Sequence, residues 1–240
     1  MANTLIFDIG KTNKKCFLFD ENYQEIWKEY VRFDEIEDED GFPCDDIQAI
    51  TDWVKTTFEK LTQRSELNIK TVNFSTYGAS FVHLDRQGKI LTPLYNYLKP
   101  YPKKILKSFH KKYGSVNKIA RQTASPASGM LNSGLQLYWL KQTQPETYQK
   151  IHRSLHFPQY LSYLFTGIAV SDFTSTGCHT SVWNYEQTEY NALVYAEGIN
   201  EKLPPIVATD TSINKNANAQ FLRIGVGIHD SSAALLPYLR

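Results

Sequence analysis

Residues 5–20, Leu-Ile-Phe-Asp-Ile-Gly-Lys-Thr-Asn-Lys-Lys-Cys-Phe-Leu-Phe-Asp, constrain the fold more than any other stretch of the chain. Two apolar runs, 4–7 and 16–19, are too short for helices and are bounded by Gly and polar residues, as buried strands are. The first run delivers Asp8 to its end. The turn between them carries Gly10, where the backbone can approach a ligand closely, then the donors of Thr12 and Asn13 among the cations of Lys11, Lys14 and Lys15. Taken alone, the turn fits two readings. An acid at a strand end facing a Gly/Thr/Lys turn pairs a hydrated Mg²⁺ with a phosphate clamp. An ordinary hairpin with solvated lysines looks the same at this level.

The rest of the composition narrows the class. The 240 residues suffice for one large domain or two small ones, and 42% hydrophobic with 21% charged residues is globular usage. A net charge of +1 supplies no field for nucleic acid or an anionic membrane. Cys16, Cys44 and Cys178 are odd in number and far apart, which gives neither a disulfide framework nor zinc spacing and suits a reducing cytoplasm. No basic leader precedes an apolar run, and no apolar segment approaches the ~18 residues of a membrane helix. The expectation is a cytoplasmic protein with no membrane or nucleic-acid partner.

Further along, residues 25–33 alternate as a third strand and complete a meander. The acidic stretch 34–40 reads as a solvated, mobile loop. Asp45 or Asp46 caps a helix in which Ile47, Ile50, Trp53, Val54, Phe58 and Leu61 form the inward face. Residues 69–75 read as a strand, and 81–84 and 89–91 as the arms of a hairpin about Gly88. The basic run Lys99, Lys103, Lys104, Lys107, Lys111 and Lys112 reads as a solvated helix face, since no RNA-binding motif accompanies it. Helices are expected at 135–140, 146–151, 159–165 (stopped by Gly167) and 188–197, and a loop or irregular strand at 172–183. The run 221–227 is β-like and leads through His229 to Asp230 at a small-residue helix start. Asp230 is then either a site acid at a strand's carboxyl end or only a helix cap.

The two acid-bearing strand ends, with the meander, resemble the FGGY family of carbohydrate kinases over essentially the whole chain. Residues 8–15, Asp-Ile-Gly-Lys-Thr-Asn-Lys-Lys, are similar to that family's first phosphate motif. Residues 76–81 and 83–88 are similar to its substrate loop and the following hairpin. Residues 131–137, 157–161 with Thr166 and Gly167, and 171–175 match the middle of its N-terminal domain, and 227–231, Gly-Ile-His-Asp-Ser, its Gly-x-x-Asp segment. Rhamnulokinase- and fuculokinase-like members are nearest in flavour. Rhamnulokinases carry Trp in place of Tyr77 and an acid in place of Ser80, and a small residue is usual in place of Lys11.

The resemblance implies an α/β fold of the actin-like, hexokinase-like ATPase type: a mixed sheet of ribonuclease-H-like core, opening with a three-strand meander and flanked by helices. It implies transfer of the γ-phosphate of ATP to a hydroxyl of a ketose or deoxy-ketose such as rhamnulose or fuculose. Asp230 would be the catalytic base and touch the sugar. Asp8 would hold Mg²⁺. Gly10, Lys11, Thr12, Asn13 and Lys15 would bind the ATP phosphate, and Tyr77, Gly78 and Ala79 the sugar. A homodimer is compatible with the resemblance. The family's C-terminal adenosine-binding domain is not found before Arg240, so residues 1–240 read as the N-terminal, sugar-binding half, a truncated form or a degenerate product, inactive by itself. The rival reading is a non-catalytic sugar-binding or regulatory module of kinase ancestry. An actin-like scaffold is disfavoured, because neither polymer contacts nor a DNA-binding helix pair is visible.

Overall fold

The computed structural model describes residues 2–217 and 220–239. Strand β1 (Asn3–Ile9) buries Leu5, Phe7 and Ile9 completely and leaves the alternate side chains half-buried, so its apolar positions face one core. β2 (Lys14–Phe19) returns antiparallel with Asp8 opposite Lys15, and β3 (Glu25–Val31) pairs antiparallel with β2. The expected meander is present.

The acidic stretch is not a mobile loop. β4 (Glu35–Glu37) and β5 (Pro43–Asp45) form a short antiparallel ladder, and Asp38 is buried against Lys99, whose Nζ lies 2.6 Å from its Oδ2. Backbone amides of Asp40 and Phe42 donate to Asp38 Oδ1 at 2.9 and 3.0 Å. Like charges adjacent in sequence repel, but here cations brought from elsewhere neutralise them. For the same reason Lys99, expected on a solvated face, is 8% exposed and also bonds Asp40.

Helix α1 (Ile47–Thr62) is capped by Asp46, which accepts from the amides of Gln48 and Ala49. Its buried Ile50, Val54, Phe58 and Leu61 lie on the inward face of the sheet. β6 (Ile69–Thr76) then pairs parallel to β1. β7 (Phe81–Leu84) turns about Gly88 as expected. Asp85 N donates to Lys89 O at 3.0 Å and Leu91 N to His83 O at 2.9 Å, on either side of a bridge between Leu84 and Ile90, but the arm 89–91 forms no full strand. The ladder partner comes from 70 residues later, because every residue of β7 is buried and needs a buried partner on its far side. Before it come α2 (Lys103–Tyr113), α3 (Val116–Thr123), α4 (Ser133–Thr143) and α5 (Pro145–Lys150), whose apolar faces join Phe81 and Tyr95 in a second core. The lysines of α2 are exposed, as expected.

β8 (Arg153–His156) is that partner, antiparallel to β7. α6 (Phe157–Thr166) follows, stopped by Gly167 at φ +68°. It lies beside α1, with Phe165 against Phe58 and Phe74 at centroid distances of 4.4 and 5.7 Å. Of the stretch 172–183 read as a loop or irregular strand, the start is instead the end of β9 (Ser171–Asp172) and α7 (Phe173–Thr176), because Asp172 caps the new helix, while 177–182 is irregular as expected. β10 (Trp183–Asn184) pairs with β11 (Glu189–Tyr190), so the expected helix begins only at α8 (Ala192–Ala196); β12 (Ile206–Val207) pairs with β9. β13 (Ser212–Ala217), too polar to be read as a strand, forms an antiparallel pair with β14 (Gln220–Gly225). β15 (Ile228–His229) leads into α9 (Asp230–Leu235).

The main sheet has the order β13-β14-β6-β1-β2-β3, with β15 also on β6. Both β14 and β15 run parallel to β6, the first at Thr71 and Val72, the second at Ser75 and Thr76. Between them the chain jogs at Gly227 (φ +87°), where a Cβ would lie 2.6 Å from the carbonyl of Pro158. Among the described residues no helix is long and apolar enough to cross a membrane.

Candidate functional site

Parallel pairing sets the site. In the registers of β1, β6 and β15, Ile9 and His229 both lie opposite Thr76. The next residues of the three strands, Gly10, Tyr77 and Asp230, therefore leave the sheet at one edge, the carboxyl end where open α/β sheets build their sites. The turn and the loop expected to meet phosphate and sugar, and the expected base, thus leave the sheet at the same edge by register alone.

In the turn, the amide of Gly10 donates to Asn13 O at 3.0 Å. Asp8 is about one-third exposed, with Lys15 Nζ at 3.3 Å. Asn13 Oδ1 accepts from Arg32 Nε at 2.8 Å. Lys11 turns away, held at 2.9 Å by both Glu35 and Asp45. Lys14 is fully buried; its Nζ donates to Asp45 Oδ1 at 2.7 Å and to the backbone carbonyl of Lys11 at 2.9 Å. Burial alone would push the Asp45 carboxyl up. Hydrogen bonds from Lys14, Lys11 and Tyr77 outweigh that and hold it below the usual carboxylate value.

The sugar loop follows β6. Tyr77 points into the core: its ring meets Phe157 and Tyr97 edge-on at 5.3 and 5.9 Å, and its hydroxyl donates to Asp45 Oδ2 at 2.7 Å. The aromatic face expected to meet a sugar is thus spent largely on packing. Gly78 lies against His229, so close that a Cβ would sit 2.0 Å from its Nε2. Ala79 adopts φ +60°, and its carbonyl accepts from Gln136, whose amide also donates to Met130 O at 2.6 Å. Gln136 thereby ties the loop to residues 128–131. A cavity of about 450 Å³ lined by Tyr97, Lys99, Tyr101, Gly129 and Met130 opens at that tie.

Asp230 begins α9 with its side chain 39% exposed. Its Oδ1 accepts from the adjacent Ser231 amide at 2.6 Å, a local bond that is not a helix cap, since His229 holds the N-cap position and no side chain caps α9. His229 Nδ1 is 3.8 Å from that oxygen, buried and without a hydrogen-bond partner. Burial lowers the His229 pKa, Asp230 only partly offsets this, and the imidazole is neutral at neutral pH. Behind it, Thr174 Oγ1 accepts from the His229 amide at 3.1 Å and donates to the buried Asp172 at 2.6 Å. A second cavity, about 530 Å³, runs along α9 past Thr174, Ser232, Leu235, Leu236 and Leu239.

Sequence reading missed Asp45 and Gln136 as parts of this constellation, placed Lys14 only among the cations of the turn, and left open whether His229 orients Asp230. The Asp45-Asp46 doublet held one signal, since a helix needs only one such cap. The partners of Asp45 lie 31 to 34 residues away and carry no local trace. Among the described residues, no group of three or more His, Cys, Asp and Glu is arranged to hold a metal ion. Asp8, a carboxylate one-third exposed beside a polar turn, fits a Mg²⁺ that keeps most of its water.

Comparison with known proteins gives concordant findings. The model of the FGGY family of carbohydrate kinases, N-terminal domain, matches residues 3–235. The chain is 24% identical to L-fuculokinase of Escherichia coli K12 over 203 residues, 79% of this chain and 41% of that protein. It is 24% identical to rhamnulokinase of Halalkalibacterium halodurans over 73% of this chain and 37% of that protein. It therefore spans about two fifths of the length of these relatives. A carbohydrate kinase from Novosphingobium aromaticivorans superposes with a TM-score of 0.83 at 24% identity, over 97% of this chain and 50% of the other. A xylulose kinase from Lactobacillus acidophilus gives 0.85 at 21% identity, over 98% and 49%. These solved structures share the mixed α/β fold.

Proposed function

From the premise that the chain belongs to the FGGY family of carbohydrate kinases, we propose that it is the sugar-binding, base-carrying half of an ATP-dependent sugar kinase. The substrate is a ketose or deoxy-ketose of the rhamnulose or fuculose kind, as the names of its relatives suggest. The observation that carries this reading is the common register at Thr76, which brings the turn, the loop and Asp230 to one end of the sheet.

Phosphoryl transfer asks a protein for positioning and charge neutralisation more than for covalent chemistry. On this reading, Asp230 accepts the proton of the attacking sugar hydroxyl. The backbone at Gly10 and the side chains of Thr12 and Asn13 hydrogen-bond the transferring phosphate, and Lys15 adds positive charge. Lys11, taken up by Glu35 and Asp45, acts from behind the turn. Gly78 and Ala79 present backbone to the sugar, which occupies the cavity by Tyr97 and Met130, and Tyr77 shapes its wall. Asp8 holds Mg²⁺, which when bound neutralises phosphate charge. A nucleotide-binding half of such a kinase closes against the end of α9 and the turn after it, where Leu235 and Leu236 are 58% and 59% exposed.

The test is Asp230→Asn in the full-length kinase, a change that keeps an oxygen acceptor for the Ser231 amide. Turnover of L-rhamnulose or L-fuculose falls by about 10²–10⁴, with the melting temperature unchanged. Retained turnover refutes the assignment of the base. Sugar binding without turnover in the unsubstituted protein favours the non-catalytic module instead.

A further inference from the structure

Of the buried acids that the mechanism leaves without a part, Asp45 is the one in contact with both the turn and the loop. The Asp45 carboxylate is 5% exposed and receives three donors: Lys14 on Oδ1, and Lys11 and the Tyr77 hydroxyl on Oδ2. Lys14 in turn donates to the carbonyl of Lys11, inside the phosphate turn. A buried lysine–carboxylate pair is expensive to remove from water, and apolar side chains of similar size often stabilise a core equally well. Here the pair stands where two segments far apart in sequence meet: residues 10–14 on one side, Tyr77 on the other. The backbone already joins the two segments, the Tyr77 amide donating to Ile9 O at 3.0 Å just before the turn. Asp45 adds a side-chain link that holds Lys11 and Lys14 of the turn and the Tyr77 hydroxyl of the loop on one carboxylate.

We propose that Asp45 is a positioning residue whose carboxylate joins the phosphate turn and the sugar loop into one unit, so that ordering either segment orders the other. This rests on the reading of those segments as phosphate- and sugar-facing. The coupling itself is a property of the fold and is reciprocal: whatever the turn gains from an ordered loop, the loop gains from an ordered turn. Tyr77→Phe removes one hydroxyl from the loop side and leaves the turn's own residues untouched.

Hydrogen–deuterium exchange on the 240-residue chain tests it. Tyr77→Phe is expected to speed exchange about tenfold in peptides covering residues 8–16, as well as in those covering 75–81. Asp45→Asn is expected to loosen both. Should Asp45→Asn not fold, Tyr77→Phe carries the test alone. Glu197→Gln, at a buried acid of the second core, is the control and speeds neither. Unchanged exchange at residues 8–16 in Tyr77→Phe overturns the proposal. In the full-length kinase, Tyr77→Phe raises the KM for ATP as well as that for the sugar. An unchanged KM for ATP overturns the coupling too. The exchange readout needs no activity, so a full-length protein that phosphorylates no sugar sinks the functional reading alone.

Discussion

The contact between Gly78 and His229 shows how a single residue fixes the start of α9, where the proposed base Asp230 lies. Gly78 brings bare backbone against the imidazole, and any side chain there would occupy the place of Nε2. Gly78→Ala forces His229 and the start of α9 to move, at a cost of about 1–3 kcal/mol, read as a lower midpoint in urea. Turnover falls with it, because Asp230 follows His229 directly. Gly227 has a comparable role one turn earlier, held by its φ of +87° and by the Pro158 carbonyl. Both glycines could be seen in the sequence, as part of the sugar-loop and Gly-x-x-Asp motifs. What each one touches could not.

Between elements, ion pairs do the joining. Glu197, just after α8, is buried and accepts from Lys112 and Tyr113 of α2 and Lys141 of α4, with Nζ distances of 2.6 and 2.7 Å for the lysines. Burial would raise its pKa, but these donors outweigh it and take it down to about 2. A carboxyl depressed in the folded state adds stability that is complete above its ordinary value near 4.5 and is lost as pH falls toward 2. Acid unfolding followed by tryptophan fluorescence between pH 5 and 2 should therefore be shallower in Glu197→Gln than in the unsubstituted chain. The strap of β4 and β5 is fastened the same way by Lys99 and Lys11. Sequence reading failed at these elements for one reason: a run of acids is repulsive or neutralised according to cations that lie far along the chain.

At the scale of the molecule, two cores share the work. The first, between the sheet and helices α1 and α6, carries the strand ends. The second, gathered from residues 81–203, supports the loop after β6 through Gln136 and β8. If the nucleotide-binding half lies elsewhere, nothing closes over the bound phosphates to exclude water. The 240 residues alone are then expected to yield no ADP from ATP with L-rhamnulose or L-fuculose in a coupled assay. Turnover by these residues alone would refute the division of labour. The sequence by itself determined the strands β1, β2 and β6, the helix α1, the turn with Asp8 and Gly10, and the arrival of Asp230 at a helix start. Those features are written in short-range periodicity and in residues with special backbone freedom. Only the tertiary structure decided that β7 pairs with β8, that polar β13 is a strand, that Tyr77 faces the core and that Lys11, Lys14 and Tyr77 converge on Asp45. Each of these depends on a partner tens of residues distant, and burial and charge pairing between such partners leave no mark on local pattern.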